Sequence, residues 1–272
     1  MDTKFFLGVL LAVILVFSSA AIYTSFARLP AASAVPEDRD TLYQVSTIDA
    51  LVLGVYDGVQ PVSEIKKHGD FGIGTFDALD GEMIVIDGKV YQAKADGGLY
   101  AVPDNTTTPF ATVTRFEPDT ITTTGRPMNF SVFSMEMSTS LPSRNMIYAV
   151  RMHGTFPLMK VRAIPLQQKP YPPLMDAAQN QSVRTHTGIT GTVVGFYTPV
   201  FFKGINVAGY HLHFISDDRH SGGHILDFEV PENTTVEYDI TPSFRMMLPT
   251  KGAFTGVNLS QDLSGELVRI ES

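Results

Sequence analysis

Three histidines in the second half of the chain have the spacing of a metal site. His211 and His213 are two residues apart, so on a strand both would point to the same face. The polar, glycine-containing segment 216–223 predicts a turn, after which the chain re-enters an apolar strand at His224. In such a hairpin His224 would lie opposite or near His213. Three imidazoles with an open fourth position are typical of a catalytic zinc site.

The composition restricts which other ligands a metal could have. The 272 residues include no cysteine, which excludes thiolate metal sites, thiol nucleophiles and disulfides together. A transition metal would therefore depend on histidine and carboxylate ligands. The net charge is −8, from 20 Lys and Arg against 28 Asp and Glu. This balance argues against a nucleic-acid partner, whose phosphates require a basic surface.

Two further charged residues stand beside apolar segments. Arg162 lies in a strand-like stretch, where a guanidinium is costly unless it is paired. It could form a buried ion pair, or it could bind an anionic substrate. Glu82 follows a turn and opens a strand, and taken alone it is typical of an ordinary charge at a strand edge.

The elements that must position these residues are mostly strands. Alternating apolar residues predict hairpin-like strands over 71–92, with Asp87-Gly88 as a type I′ turn. A helix is predicted over Ser140–Ile147, and further strands over 149–164, 187–202, 209–215 and 224–230. We expect an α+β fold with mostly antiparallel and mixed strands and a few helices. It would have two β-sheet-rich halves, 41–165 and 175–272, with the three-histidine site on a hairpin of the second.

The first 34 residues differ from the rest. Residues 5–26 carry no charge and begin with an almost wholly apolar run. This pattern predicts either a cleaved signal peptide or a retained N-terminal membrane anchor. In both cases residues 35–272 would form an exported catalytic domain, secreted or tethered to the outer face of the cell membrane.

Four blocks of the sequence resemble the alpha-acetolactate decarboxylase family. They are FGIGTFDALDGEMIVIDGKVYQ (71–92), RMHGTFPLMKVRAIP (151–165), RTHTGITGTVVGFYTP (184–199) and GYHLHFISDDRHSGGHILDF (209–228), and the resemblance runs from about residue 41 to the C-terminus. It implies a zinc ion held by His211, His213 and His224, with Thr75, Glu82 and Arg162 beside it. It also implies a glutamate from the C-terminal tail, either Glu266 or Glu271, and Glu271 fits the distance from the histidines better.

The resemblance implies a carboxy-lyase that uses Zn²⁺ to convert 2-acetolactate to (R)-acetoin and CO₂. Zinc would stabilise the enediolate that remains when CO₂ departs. Arg162 and Thr75 would bind the substrate, and Arg162, Glu82 and Glu271 would take part in catalysis. The family also implies a homodimer. Two alternatives remain open: a cupin-like metal-dependent enzyme acting on another small oxo or hydroxy acid, and a non-catalytic exported binding domain.

Overall fold

The computed structural model describes residues 40–271, and at Glu271 it describes the backbone alone. The segment 1–34, with the apolar stretch 5–26 interpreted as a signal peptide or anchor, lies outside the described residues. Between residues 40 and 271, no helix is long and apolar enough to cross a membrane. Export, the tether and a catalytic domain beginning at residue 35 therefore stay predictions.

The first sheet is mixed and has seven strands. Its edge strand β16 (Ser243–Met247) pairs in parallel with β1 (Thr41–Val45), and the remaining neighbours are antiparallel. In spatial order the strands are β16 (Ser243–Met247), β1 (Thr41–Val45), β8 (Ala111–Thr114), β3 (Phe71–Thr75), β4 (Glu82–Ile86), β5 (Lys89–Ala93) and β6 (Leu99–Ala101). Strands from both ends of the sequence therefore meet in this sheet.

The second sheet is antiparallel, and four of its strands close into a ring. In spatial order its strands are β10 (Met128–Asn129), β14 (Gly222–Val230), β13 (Gly209–Ser216), β12 (Ser182–Thr198), β11 (Tyr148–Ala163), β15 (Thr235–Ile240) and β9 (Thr120–Thr123). The last part of β11 also pairs with β14, which links β11, β12, β13 and β14 in a circle. A closed ring fixes the register of all four strands relative to one another.

Short helices and a small two-stranded ribbon lie between the strands or follow the last one. The helices between residues 40 and 271 are α1 (Ile48–Val52), α2 (Val62–His68), α3 (Phe130–Ser140), α4 (Leu174–Ala177) and α5 (Ser264–Glu271). Strands β2 (Gln60–Pro61) and β7 (Thr107–Thr108) form the ribbon. Single 3₁₀ turns lie at Asp77–Leu79, Ala178–Asn180, Val200–Phe202 and Ala253–Thr255.

A buried apolar cluster fills the space between the sheets. It joins side chains of the first sheet to side chains of the second: Leu42, Phe71, Ile73, Ile84, Ile86, Ala93, Ile147, Ala149, Val194, Phe196 and Ile215. Burying one large aliphatic or aromatic side chain stabilises a fold by about 1.5–3 kcal/mol. This cluster therefore holds the two sheets face to face, and the predicted α+β fold with mixed and antiparallel strands is confirmed.

One predicted helix is wrong. The sequence indicated a helix over Ser140–Ile147, but α3 ends at Ser140, and residues 141–147 are irregular until β11 begins. The helix starts earlier because the Asn129 side chain caps it, accepting a hydrogen bond from Val132 N at 3.0 Å. It stops because Leu141 precedes Pro142, and a residue before proline disfavours the helical conformation.

Candidate metal centre

The register of three strands places the predicted residues in one row. His213 on β13 lies directly opposite His224 on β14. His224 in turn lies opposite Arg162 on β11, through the pairing that closes the ring. His211 is two residues before His213 on the same strand and therefore shares its face. The hairpin that the sequence predicted is confirmed.

The three imidazoles converge on one buried point. One ligand nitrogen from each of His211, His213 and His224 can be chosen so that all lie within 4.8 Å of one another. The ring centroids are 5.1–5.4 Å apart, and the side chains are 8%, 1% and 2% exposed, respectively. A single ion with metal–nitrogen bonds of about 2.1 Å could reach all three after small side-chain adjustments.

His213 is oriented by the opposite sheet. Its Nδ1 donates a hydrogen bond to the backbone carbonyl of Met83 on β4, at 2.9 Å. The other ring nitrogen, Nε2, is buried, has no hydrogen-bond partner within residues 40–270, and lies 3.9 Å from Glu82 Oε2. Two metal–ligand bonds of about 2.1 Å can span such a gap. The residues present therefore fit a metal ion, with a backbone carbonyl fixing the tautomer of one ligand.

Burial keeps the three imidazoles neutral, which is the form that binds metals. Burial lowers the pKa of His211 to about 3, and the nearby Arg162 guanidinium adds to this effect. For His213 and His224, burial likewise holds the pKa well below its usual range, and neighbouring histidines and Arg162 contribute. A neutral ligand set can bind a divalent ion at neutral pH without first losing protons.

The first sheet supplies Thr75 and Glu82. These two residues are register partners on β3 and β4, and both are buried. The Thr75 hydroxyl donates a hydrogen bond to the carbonyl of Gly81 at 2.7 Å, which fixes its oxygen beside the site. The interpretation of Glu82 as an ordinary edge charge is wrong. β4 is an internal strand between β3 and β5, and the carboxylate faces the histidines.

Arg162 is buried at the same cavity. Its side chain is 4% exposed, and Nη1 donates a hydrogen bond to Gln181 Oε1 at 3.3 Å. The sequence did not indicate Gln181, because it precedes β12 in a polar stretch with no recognisable motif. The guanidinium lines the cavity of the histidines, where it could receive an anionic group.

The cavity itself is small and has one apolar wall. Its volume is about 30 Å³, and the polar side carries Thr75, Glu82, Arg162 and the three histidines. The other lining residues are mostly aliphatic or aromatic: Ile48, Leu51, Leu79, Phe110, Ile164 and Leu174. Sequence reasoning missed these residues because each is typical of an ordinary core position. Only the packing of α1, α4 and the loops shows that they face the site.

The C-terminal helix packs behind this apolar wall. Leu263, Leu267 and Ile270 are buried in the cluster that also contains Ile48 and Leu174. The tail therefore returns to the neighbourhood of the site, as the resemblance implied. Glu266 on α5 is half-buried. The side chain of Glu271 lies outside the described residues, so its place at the site stays a prediction.

The fold and site together define a β-rich protein with a buried histidine triad able to hold a metal. A family model described as alpha-acetolactate decarboxylase matches residues 42–261. The chain belongs to the alpha-acetolactate decarboxylase family and is an enzyme of the carboxy-lyase class. This membership argues against the cupin-like and the non-catalytic alternatives.

Individual relatives agree with the family model. The alpha-acetolactate decarboxylase of Methanosarcina mazei is 52% identical over 232 residues, spanning 85% of this chain and 80% of the relative. That of Methylococcus capsulatus is 44% identical, spanning 83% of this chain and 86% of the relative. The crystal structure of alpha-acetolactate decarboxylase from Bacillus subtilis strain 168 superposes with a TM-score of 0.81 at 40% identity, covering 85% of this chain and 98% of that chain.

Proposed function

We propose that this protein decarboxylates 2-acetolactate to (R)-acetoin and CO₂ and that the reaction depends on Zn²⁺ held by His211, His213 and His224. The observation that carries the proposal is the row of register partners Arg162, His224 and His213 in a member of this family. Together with His211, which shares the face of His213, this row brings three neutral, buried imidazoles next to the buried Arg162 guanidinium. Such a site combines the ligands for a Lewis acid with a group that attracts a carboxylate.

In the proposed reaction Arg162 binds the substrate carboxylate. A guanidinium in a buried site offers paired N–H donors that match a carboxylate, and Gln181 holds one end of it. The bond between the carboxyl carbon and C2 breaks, CO₂ leaves, and its electron pair stays on the substrate. The 3-oxo group takes up this pair as an enediolate. Zn²⁺, when bound, would supply the Lewis acidity that stabilises negative charge on the enediolate oxygens.

A carboxylate beside the histidines then takes part in the proton transfer. Glu82 Oε2 lies 3.9 Å from His213 Nε2, so it faces the space where the substrate oxygens would be bound. We propose that Glu82, together with Glu271 from the tail, orients and delivers the proton that adds to C2. Thr75, whose hydroxyl hydrogen is directed to Gly81 O, has lone pairs available for a substrate hydroxyl.

The apolar wall has a separate role in the proposal. Leu51, Phe110 and Leu174 line the cavity together with the polar groups and limit the access of bulk water to them. Electrostatic interactions are stronger in such a site than in water. The two methyl groups of the substrate are the parts that would contact this wall, which leaves its oxygens to the metal, Arg162 and Thr75.

The export of the protein and its assembly into a homodimer are also proposals. We propose that the chain is exported through residues 1–34, by a signal peptide or by an anchor within residues 5–26, and that it works as a homodimer. The apolar run in the sequence supports export, and the dimer follows from the family resemblance alone. Fractionation of cells and N-terminal sequencing of the mature protein test the first part. Sedimentation equilibrium tests the second.

The experiment for the proposed function uses the purified protein and racemic 2-acetolactate. Acetoin is measured by chiral gas chromatography and CO₂ by a coupled assay, before and after treatment with a chelator. We expect mainly (R)-acetoin from the untreated protein, loss of activity after chelation, and recovery with Zn²⁺. Acetoin formation that survives complete removal of metal would contradict metal dependence, and no acetoin from the metal-loaded protein would contradict the reaction.

A further inference from the structure

A second cavity lies next to the site and is much larger. Its volume is about 630 Å³, against about 30 Å³ for the cavity of the histidines. The smaller cavity has room for about two water molecules. 2-Acetolactate has about nine non-hydrogen atoms, so part of the wall must move before the substrate reaches the histidines.

The same elements border both cavities. On β11, Arg162 lines the small cavity and Lys160 lines the large one. Residues two apart on a strand share a face and lie roughly 6.5–7 Å from each other. On α1, Ile48 and Leu51 face the small cavity, whereas Asp49 faces the large one. Lys160 of the large cavity and the buried Arg162 of the small one are therefore successive residues on the same face of β11.

The C-terminal helix forms part of the partition. Leu267 lines the large cavity and also belongs to the apolar cluster that contains Ile48, Leu51 and Leu174 of the small one. Its neighbour Val268 also lines the large cavity and is 68% exposed. α5 thus contributes apolar side chains both to the wall of the large cavity and to the cluster that lines the small one.

Two lysines line the large cavity, and Lys203 lies close enough to Asp262 to help lower the pKa of that carboxyl. Neither the Lys160 nor the Lys203 ammonium group makes a hydrogen bond or an ion pair with another residue between 40 and 270. The carboxylates in the same wall are Asp49 and Asp227. Asp227 is the register partner of Lys160, and its Oδ1 accepts hydrogen bonds from the backbone N–H groups of Phe130 and Phe228 at 3.2 and 2.9 Å. The two side chains make no ion pair within residues 40–270.

We infer that the large cavity is a receiving site for the substrate, in which Lys160 holds the carboxylate before Arg162 takes it over. The inference rests on the proposed function for the identity of the anion, a small 2-hydroxy-3-oxo acid. It adds a binding step at a second, cationic position on the same face of β11. In a protein with a net charge of −8, such a local cation matters for attracting an anion.

The first test compares substitutions of Lys160 in the full chain. We expect Lys160→Gln to lower kcat/KM about tenfold, to leave kcat within about twofold, and to weaken the dependence of kcat/KM on ionic strength. Lys160→Arg should restore most of kcat/KM. The matched control is Lys89→Gln, at an exposed position on the β4–β5 hairpin, which should change nothing. Unchanged kcat/KM in Lys160→Gln, or an equal loss of kcat and bound metal, would overturn the inference.

The second test fills the cavity without touching a charge. Ser134 on α3 lines it, whereas the next residue, Met135, is 62% exposed and does not. We expect Ser134→Trp to lower kcat/KM with metal content and thermal stability retained, and Met135→Trp to behave as the wild type. Equal effects of the two tryptophans would contradict a receiving site in this cavity.

A binding measurement separates this inference from the proposed reaction. The inert analogue 2-hydroxy-2-methylpropanoate is titrated calorimetrically into the wild type and into Lys160→Gln. If the wild type forms no acetoin, the reaction assignment fails, but a weaker affinity for the analogue in Lys160→Gln would still support the receiving site. Equal affinities in the two proteins would overturn it whatever the enzyme assay shows.

Discussion

His213 shows how the two sheets cooperate at a single side chain. It belongs to the second sheet, its Nδ1 donates to the carbonyl of Met83 in the first, and its Nε2 faces Glu82 of the same strand. A ligand whose tautomer and ring orientation are fixed loses less entropy when it binds a metal. The conformational entropy of this side chain is therefore already lost on folding, through a contact between strands that are far apart in sequence.

Arg162→Lys is the substitution that tests the anion-binding role. Lysine keeps the positive charge but replaces the planar pair of donors by a point charge, so it cannot bind a carboxylate in bidentate fashion. We expect kcat/KM to fall about 100-fold while metal content stays unchanged, as measured by steady-state kinetics and elemental analysis. Arg126→Lys, at an ion pair with Glu136 on the surface, is the matched control.

Kinetics of Arg162→Lys that match those of the wild type would show that Arg162 has only a structural role. Loss of metal together with activity would show that it supports the histidines rather than the substrate.

For individual residues, the sequence predicted the three histidines but not the groups that hydrogen-bond to the site residues. The spacing of His211, His213 and His224 around a turn was enough to predict one face of a hairpin, and the structure confirms it. Met83 and Gln181 could not be predicted, because a backbone carbonyl 130 residues from His213 and an isolated amide leave no local pattern. Glu82 was misjudged for a related reason, since the interior position of β4 depends on its pairing with β5 on one side and β3 on the other.

Among the elements, β11 connects the site to the rest of the molecule. It pairs with β12 along nearly its full length, with β15 at its start and with β14 at its end. The pairing with β14 brings Arg162 opposite His224. The register shift between Lys160 and Val161 lets β14 turn towards β11 without breaking the ladder.

Gly195 on β12 allows a close approach at the site, and we predict that Gly195→Ala damages it. An added Cβ would collide with the carbonyl oxygen of His211 and approach Leu212 Cα to 2.8 Å. Because the obstacle is backbone, β13 would have to move and carry its histidines with it. We expect a loss of about 1–3 kcal/mol in the free energy of unfolding and weaker metal binding, measured by denaturant titration and competition with a chelator.

Gly154→Ala provides the comparison for Gly195→Ala. A Cβ at Gly154, in the same sheet, would meet nothing nearer than Thr234 Cγ2 at 3.8 Å. It should therefore leave metal affinity unchanged. Equal effects of the two alanines would mean that the approach of β12 to β13 does not control the geometry of the histidines.

Local turn chemistry made some elements predictable. Asp87 and Gly88 have φ values of 51° and 71°, as a type I′ turn requires, and they join β4 to β5 as expected. The parallel pairing of β16 with β1 could not be anticipated in this way, because about 200 residues lie between Val45 and Ser243. Long-range pairing depends on the whole arrangement of strands, which no short window of sequence records.

For the whole molecule, one buried carboxyl makes stability depend on pH. Asp239 on β15 is 0% exposed, and its Oδ2 accepts a hydrogen bond from the backbone N–H of Glu117 at 3.1 Å. Burial raises the pKa of Asp239 to about 7, and the nearby carboxylates of Asp119, Asp40 and Glu117 add to this. The folded protein therefore binds this proton more tightly than the unfolded chain. Its contribution to stability is present at low pH and is lost as the pH rises from about 4 through 7.

Asp239→Asn should remove this dependence, because the amide imitates the neutral acid and can still accept from Glu117. We expect the variant to be more stable than the wild type by about 1–3 kcal/mol at pH 8 and nearly equal to it at pH 4.5, measured by thermal unfolding at both values. Asp87→Asn, in an exposed turn, is the control. An Asp239→Asn protein that is less stable at pH 8 would contradict the account.

We expect the activity of this protein to require one metal ion held by the three buried histidines. The most direct test is a titration of metal-free wild type and His213→Ala with Zn²⁺, measuring acetoin formation and bound metal at each addition. We predict that wild-type activity rises in proportion to bound zinc and levels off at one ion per chain, whereas His213→Ala retains little metal and stays inactive. Full activity with no bound metal, or an active His213→Ala protein, would contradict the claim.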